Sequence, residues 1–324
     1  MTRIAITGGT GFVGRHLAER LVAAGHDVVV VARGIDRHVP PPTSQIHVVH
    51  ATIGDRDKLQ AAFRGCDAVV HCAGINREIG AQTYEAVHIE GTRVVADAAR
   101  SAGGARLVML SFLRARPDGP SEYHRTKWAA EQIVRTAGST HTIVKAGVIY
   151  GRGDHMLDHL SRAFHTFPIF GLVGLRDRQV RPIAVTDVVR LLEAAALGDR
   201  RLEGRTVLAL GPEELPLGAA VRRVAMVVGR RPMFVPLPVA VHRVLARIFE
   251  AAMTVPLIAR AQVEILAEGV VAALPFADEP PDDLRATTPF SEGSIRAGLP
   301  PASRFGRADL RVCRGWTAVG PSEP

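Results

Sequence analysis

The sequence predicts an α/β protein with helices on both faces of a doubly wound parallel sheet, followed by a smaller, mostly helical C-terminal region. Apolar, β-prone runs of the kind that builds a sheet buried on both faces alternate with segments whose apolar residues recur at helical spacing. The first run enters a glycine cluster that opens a helix, which is half of a βαβ unit. A chain of 324 residues exceeds the usual size of one domain, so we expect a large core with an appended region.

The opening stretch, 4–14, reads as strand, tight turn and helix start. Gly8 permits a turn closed to side chains, Gly11 lets a pyrophosphate approach the backbone, and Gly14 lets the helix pack close to the strand. The helix N-terminus then faces the phosphates with its N–H groups. This pattern predicts dinucleotide binding at a Rossmann-type turn. The residues expected to contact the cofactor there are Gly8, Thr10, Gly11, Phe12, Val13 and Gly14.

The second predicted strand, 27–32, ends at a residue that bears on the choice of cofactor. An acidic residue at this place would hold a ribose 2′-hydroxyl, whereas an arginine suits a 2′-phosphate. The sequence has Arg33 here, and Arg37 and His38 add positive charge in the following loop. We therefore expect NADP(H) to be favoured, with NAD(H) as the alternative.

After a third strand at 46–50, Asp55 precedes a helix predicted over 56–63. Its carboxylate either accepts from the adenine amino group or only caps the helix. A fourth strand, 68–72, is followed by Ala73 and Gly74, whose small size would let the backbone lie against the cofactor.

A helix is predicted over 84–101 and a fifth strand over 106–110, ending at Ser111. The next helix runs to about Thr136 and has Ser121 as its predicted N-cap.

Tyr123 and Lys127 stand four residues apart on that helix, so they share one face, with Cβ atoms about 5–6 Å apart. A lysine ammonium beside a tyrosine favours the phenolate and moves a proton donor of pKa about 10 toward working pH. The same ammonium can bind ribose hydroxyls. The alternative is an exposed pair on an amphipathic helix.

These motifs together resemble the short-chain dehydrogenase/reductase superfamily in its extended or atypical branch, over roughly residues 1–245. Within it, the chain is similar to the group containing the NAD(P)-binding accessory subunit of respiratory complex I and to bacterial epimerase/dehydratase-like proteins. The stretches that carry the closer resemblance are 111–131, 147–154 and 181–188.

The resemblance implies that Tyr123 is the general acid/base, that Lys127 is its partner and ribose ligand, and that Ser111 polarises a substrate carbonyl. The chain departs from the family pattern after Ser111, where Phe112 and Leu113 replace a run of hydroxyl residues. His88 stands where Asn is common, and a Lys-Ala pair at 145–146 replaces Arg-Pro.

These features leave two functions open. The first is an NAD(P)-dependent oxidoreductase or epimerase/dehydratase that transfers hydride at the nicotinamide, with Tyr123 moving the proton. The second is a non-catalytic NADPH-binding structural, assembly or sensor protein, which the apolar residues after Ser111 favour. The expected substrate is a small molecule, and the paucity of polar groups in its predicted pocket favours an apolar one.

The rest of the first domain offers ligand-facing loops but no metal site. A sixth strand over 140–145 leads to a glycine-containing loop at 149–154, at the sheet edge where ligands bind. His155, Asp158 and His159 are surface or cleft residues rather than metal ligands, and no metal is predicted. In the helix that starts near 187, Thr186 or Asp187 is expected to cap rather than to catalyse.

The predicted domains are an NAD(P)-binding region at 1–200, a mostly helical lid at 201–274 and an irregular tail at 275–324. The expected elements of the second region are a strand at 205–210 and helices at 217–228, 239–253 and 258–268. Apolar residues on the last two helices, with arginines at their edges, suit either a lid packed on the core or a helix lying on a membrane.

Composition excludes several classes of protein. Only three of the 40 basic residues are lysines, and the arginines behind the net charge of +8 are spread along the chain, so no nucleic-acid surface is predicted. Three scattered cysteines predict no disulfide framework. Without a leader or a transmembrane span, we expect a cytoplasmic or membrane-peripheral protein, monomeric or homodimeric, which could contact a membrane or a protein complex through its C-terminal helices.

Overall fold

The computed structural model describes residues 1–33, 45–254, 256–272 and 277–310. The positive loop residues Arg37 and His38 therefore lie outside the described residues.

Strands and helices alternate along the first half of the described chain. The strands are β1 (Arg3–Thr7), β2 (Asp27–Ala32), β3 (Ile46–His50), β4 (Ala68–His71), β5 (Arg106–Phe112), β6 (His141–Ala146), β7 (Ile149–Tyr150), β8 (Ile169–Val173), β9 (Gln179–Val180), β10 (Ile183–Ala184), β11 (Thr206–Ala209), β12 (Leu215–Pro216) and β13 (Met233–Leu237). The α-helices are α1 (Phe12–Ala23), α2 (Arg56–Phe63), α3 (Gly91–Ser101), α4 (Glu122–Thr136), α5 (His155–Thr166), α6 (Val185–Ala196), α7 (Leu217–Val228), α8 (Val239–Ala252), α9 (Arg260–Glu268) and α10 (Glu292–Gly298).

Seven strands form one parallel sheet in the order β11-β6-β5-β4-β1-β2-β3. The chain runs outward from β1 in one direction through β2 and β3, and in the other through β4 and β5. This reversal is the topological switch point of a doubly wound sheet, where ligands bind beyond the carboxyl ends of the strands. The predicted α/β fold class is confirmed.

Two apolar layers cover the sheet, and β2 shows how the sequence produces them. Val28 and Val30 pack in the layer that contains α1 and α6. Their neighbours Val29 and Val31 point to the opposite face, into the layer formed with α2, α3 and α4. Alternate side chains of a strand point to opposite faces, so a run of four valines suits a strand that is covered on both sides.

The structure differs from the predicted elements in three places. The helix predicted over 84–101 is a π-helical turn, Glu85–Glu90, followed by α3. The strand at 206–209, assigned from the sequence to the C-terminal region, is β11 at the edge of the large sheet. Asp187 does not cap a helix: it lies inside α6, buried, where its carboxylate accepts from the backbone N–H of Thr288 at 3.0 Å.

Two compact units divide the chain. The first comprises 1–149, 181–213 and 271–290, and it contains the whole parallel sheet. The second comprises 150–180, 214–270 and 291–324.

The second unit contains the predicted C-terminal helices. α7 has the predicted bounds, and α8 and α9 lie within one to two residues of theirs. In this unit β13 pairs with β8 in parallel and β12 pairs with β9 antiparallel. Along α8, Val241, Val244 and Ile248 are exposed. Among the described residues, no helix is both long and apolar enough to cross a membrane.

Candidate functional site

The glycine turn between β1 and α1 is closed to side chains. Gly8 adopts φ +70°, and a Cβ there would lie 2.8 Å from the backbone of Ala73. A Cβ on Gly14 would lie 2.2 Å from the Gly8 carbonyl oxygen, so the helix can start this close to the turn only with glycine. Gly11 donates its N–H to the same carbonyl over 2.9 Å.

The start of α1 is suited to an anion. Gly11 occupies the N-cap position, no side chain caps the helix, and its first turn, which begins at Phe12 and Val13, carries no acidic residue. The N-terminal N–H groups and the positive end of the helix dipole therefore favour a phosphate at this turn.

Arg33 and Asp55 each follow a strand of the sheet, β2 and β3 respectively, as predicted. Arg33 directly follows β2 and is exposed. Asp55 occupies the N-cap position of α2 without capping it, because its Oδ2 accepts instead from the Thr52 N–H over 2.7 Å. That hydrogen bond lowers the pKa of the Asp55 carboxyl, and its anionic form can still accept from an amino group.

Tyr123 and Lys127 lie on one face of α4, one turn apart. Lys127 is buried, and its Nζ donates to the Leu110 carbonyl over 3.2 Å. A Cβ on Gly74 would lie 3.3 Å from the same nitrogen, so the absence of a side chain after β4 leaves room for the ammonium. Burial lowers the pKa of Lys127 to about 8, with Glu131 acting in the opposite direction.

The expected phenolate at Tyr123 is not found. Burial raises the pKa of Tyr123 to about 12, which is opposite to the direction expected from a neighbouring ammonium. The ring is surrounded by other rings, with centroids 5.3 Å from Phe112, 5.5 Å from His88 and 6.0 Å from Tyr84. This apolar enclosure disfavours the charged form and keeps the hydroxyl protonated at neutral pH.

His88 connects the loop after β4 to the helix that carries Tyr123. Its Nε2 accepts from the Ile75 N–H at 3.2 Å, and its Nδ1 lies 2.9 Å from the Thr126 hydroxyl, whose proton goes to the Glu122 carbonyl. The ring is therefore neutral with the proton on Nδ1, and burial lowers its pKa to about 2.

The Ser111 hydroxyl is not free to polarise a substrate carbonyl, which is the role that the resemblance implies. It is buried and donates to Glu131 Oε1 over 2.6 Å. The proton that would polarise a substrate carbonyl is therefore already used. Ser121 likewise occupies the N-cap position of α4, but its hydroxyl lies 2.7 Å from His124 Nδ1 and does not cap the helix.

Sequence reasoning missed Glu131. The signal was available, because Tyr123, Lys127 and Glu131 follow one another at four-residue spacing on a single helix face. Lys145, one of only three lysines, is its partner at 3.2 Å on the neighbouring strand.

The metal interpretation of the His155 region gains no support. Within the described ranges, no group of three or more His, Cys, Asp and Glu side chains could hold a metal ion. The His159 ring instead lies between two backbone carbonyls, with Nδ1 2.8 Å from His155 O and Nε2 3.0 Å from Pro256 O.

The chain is similar to several known proteins. Residues 8–160 match the family model described as NAD(P)H-binding. Over 191 residues, the chain is 33% identical to the ceramide reductase of Caulobacter vibrioides, covering 59% of this chain and 60% of that protein. It is 24% identical to the mitochondrial 40 kDa subunit of NADH-ubiquinone oxidoreductase of Neurospora crassa, covering 80% and 69%.

The chain spans less than two thirds of the length of the first curated relatives it matches. Among solved structures, MoeE5 in complex with UDP-glucose and NAD superposes with a TM-score of 0.67 at 20% identity, over 91% of this chain and 97% of that one. The chain thus has a Rossmann-like NAD(P)-binding fold, and the complex I subunit is among the proteins to which it is similar.

Proposed function

We propose that the protein is an NAD(P)-dependent oxidoreductase in which the Tyr123 hydroxyl donates a proton to a substrate carbonyl. The observation that carries this proposal is the position of Lys127, whose buried Nζ is held by the Leu110 carbonyl one turn from Tyr123 and beside Gly74. Within the part of the chain that the structure describes, the Leu110 carbonyl is the one hydrogen-bond acceptor of this buried ammonium, which leaves its other N–H donors for a ligand beside Gly74.

The chain's residues fit a dinucleotide. Gly8, Gly11 and Gly14 form a cradle that a Cβ would fill, and the start of α1 is free of capping side chains. Lys127 would hold the ribose beside the nicotinamide. When bound, the cofactor supplies the hydride that a carbonyl reduction needs.

The protonation states favour reduction. With a pKa of about 12, Tyr123 is a neutral hydroxyl at pH 7 and can give its proton to an oxygen that becomes negative. With a pKa of about 8, Lys127 is mostly an ammonium at pH 7 and stabilises the phenolate that remains.

We propose an apolar carbonyl compound as the substrate class. The wall around Tyr123 is aromatic, formed by Phe112, His88 and Tyr84, and it offers few groups that would bind a sugar. A relative of 33% identity is named a ceramide reductase, which supports a ketone on a lipid. Epimerisation or dehydration of a nucleotide sugar is the competing chemistry within the same fold.

The test is consumption of NADPH by the purified full-length chain with a panel of long-chain ketones, read by absorbance. We expect turnover with at least one ketone. Replacing Tyr123 by Phe should lower kcat by about 10²- to 10⁴-fold, the contribution of one general acid, and leave the affinity for NADPH unchanged. A variant that keeps the wild-type rate would show that another group supplies the proton.

A non-catalytic NAD(P)-binding role is the second candidate, and Ser111 favours it. The hydroxyl that the resemblance assigns to the substrate is bound to Glu131, and two apolar residues follow it. The complex I relatives support this alternative. It predicts tight NADPH binding with no oxidation by any ketone or nucleotide sugar, and steady turnover would remove it.

A further inference from the structure

Glu131 lies at the centre of a buried polar cluster that the proposed chemistry does not use. Its side chain is fully buried on α4, one turn after Lys127. The carboxylate accepts the Ser111 hydroxyl at 2.6 Å and lies 3.2 Å from Lys145 Nζ. Ser111 and Lys145 are paired positions of the adjacent strands β5 and β6.

Two cations share this carboxylate. Lys145 is buried and also donates to the Ala115 carbonyl over 3.0 Å. Arg135 Nη2 lies 3.1 Å from Glu131 and 3.0 Å from the Thr206 hydroxyl on β11. A carboxylate removed from such a cluster leaves buried positive charge without its counter-ion, which is strongly destabilising.

The cluster continues the contact that Lys127 makes. Lys127 donates to the carbonyl of Leu110, and Glu131 accepts from the hydroxyl of the next residue, Ser111. Two successive turns of α4 are therefore attached by charge-assisted hydrogen bonds to two successive residues of β5. The residue that follows, Phe112, packs against the Tyr123 ring at 5.3 Å.

We propose that Glu131 is a positioning residue for the Tyr123–Lys127 pair: it attaches their helix to the end of β5, and its negative charge retains the ammonium of Lys127 beside Gly74. The catalytic meaning of this inference rests on the proposed oxidoreductase function, whereas the effect on Lys127 does not. Ser111 then serves as a hydrogen-bond donor to Glu131.

Glu131 is the main source of negative charge near Lys127, because the other titratable groups that face the ammonium are neutral. His71 and Cys72 face it from the end of β4, and His88 faces it from the π-helical turn. Burial lowers the pKa of His71 to about 3 and raises that of Cys72 to about 12, and His88 is also neutral, so none of the three is charged at pH 7. Glu131 opposes the effect of burial on Lys127.

Three lysines in the chain allow a direct test. Lysine labelled with ¹³C at Cε gives one NMR signal each for Lys58, Lys127 and Lys145, and each signal can be titrated. Glu131→Gln alone would leave Lys145 and Arg135 without their counter-ion and can unfold the chain. The informative variant is therefore Glu131→Gln/Lys145→Met, which removes one negative and one positive charge. Lys145→Met alone is the matched control, since it keeps the carboxylate and its Arg135 partner.

We expect the pKa of Lys127 to fall by about 1 in the double variant relative to the Lys145→Met control, the smaller end of the change that a nearby opposite charge produces. An equal Lys127 pKa in the two variants would overturn the inference. The titration needs neither cofactor nor substrate, so its outcome is independent of the proposed function. NADPH titration and ketone turnover on the same samples test that function separately.

Discussion

The ammonium nitrogen of Lys127 lies 3.3 Å from the point where a side chain on Gly74 would begin. This distance is tighter than most Cβ contacts, so the lysine would have to move to admit even a methyl group. Gly74, in the loop after β4, therefore controls where the Lys127 ammonium, one turn from Tyr123, can lie.

Replacing Gly74 by Ala should disturb the site without unfolding the protein. The nearest atoms to the new methyl group are the tip of Lys127 and His88 Nε2, and a lysine tip can shift by a few tenths of an ångström. We expect the free energy of unfolding to change by less than about 1 kcal/mol, as for a tolerated core change. NADPH affinity should fall by about tenfold, which corresponds to about 1.4 kcal/mol. Parallel urea unfolding and NADPH titration check both, and an unchanged affinity would contradict the placement of Lys127.

Gly14→Ala should be far more damaging. The new Cβ would lie 2.2 Å from the Gly8 carbonyl oxygen and 2.8 Å from the Gly9 Cα, and these backbone atoms cannot rotate away. We expect a loss of about 2–3 kcal/mol in the free energy of unfolding, as for severe overpacking, with NADPH binding lost. Gly54→Ala is the control, because its nearest neighbour is 3.7 Å away. Equal stability of the two variants would argue against a closed turn.

Ser111→Ala separates a structural from a catalytic serine. Because the hydroxyl donates to the buried Glu131, we expect a loss of about 1.5–3 kcal/mol in unfolding free energy, the value of a hydrogen bond to a charged group. Turnover with an accepted ketone should fall by less than tenfold. A loss of about 10³-fold with unchanged stability would instead assign Ser111 to the transition state, as for an oxyanion donor.

Two buried neutral histidines should make the fold sensitive to acid. His71 bridges Thr7 at 2.7 Å and Thr92 at 3.1 Å, and burial lowers its pKa to about 3, while that of His88 is lowered to about 2. The unfolded chain takes up these protons near pH 6.5 and the folded chain does not, so stability falls as the pH drops below 6.5.

Each histidine should contribute about 1.4 kcal/mol per pH unit between pH 6.5 and the pH at which the folded group titrates. Urea unfolding at pH 7, 6 and 5 measures the slope. His88→Asn should remove about half of the histidine contribution, since one of the two groups is lost. The same slope in wild type and variant would show that His88 is not held neutral.

The sequence was sufficient to predict the sheet, the glycine turn and the Tyr123–Lys127 face, because each depends on residues close together in the chain. Apolar runs identify strands that are covered on both faces, and a four-residue spacing identifies a helix face. The resemblance to the extended short-chain dehydrogenase/reductases, carried by the same motifs, was confirmed by the family match and by the relatives.

The features that sequence reasoning missed depend on distant partners. The direction of the Ser111 hydroxyl is set by Glu131, twenty residues later, and by the pairing of β5 with β6. The raised pKa of Tyr123 follows from burial among rings supplied by two elements distant in the chain, the helical stretch with Tyr84 and His88 and the end of β5 with Phe112. The π-helical turn at 85–90 shifts the helical register by one residue per turn, which apolar periodicity over so short a stretch cannot reveal.

The most direct test of dinucleotide binding at this site is a calorimetric titration of the nucleotide-stripped, full-length protein with NADPH and, separately, with NADH. We predict saturable one-to-one binding, tighter for NADPH. Replacing Arg33 by Asp should reverse that preference, because the exposed guanidinium after β2 would be exchanged for a carboxylate that repels a 2′-phosphate and accepts from a 2′-hydroxyl. If neither dinucleotide binds, the proposal of dinucleotide binding at this site is contradicted, since the glycine turn would then serve only the fold.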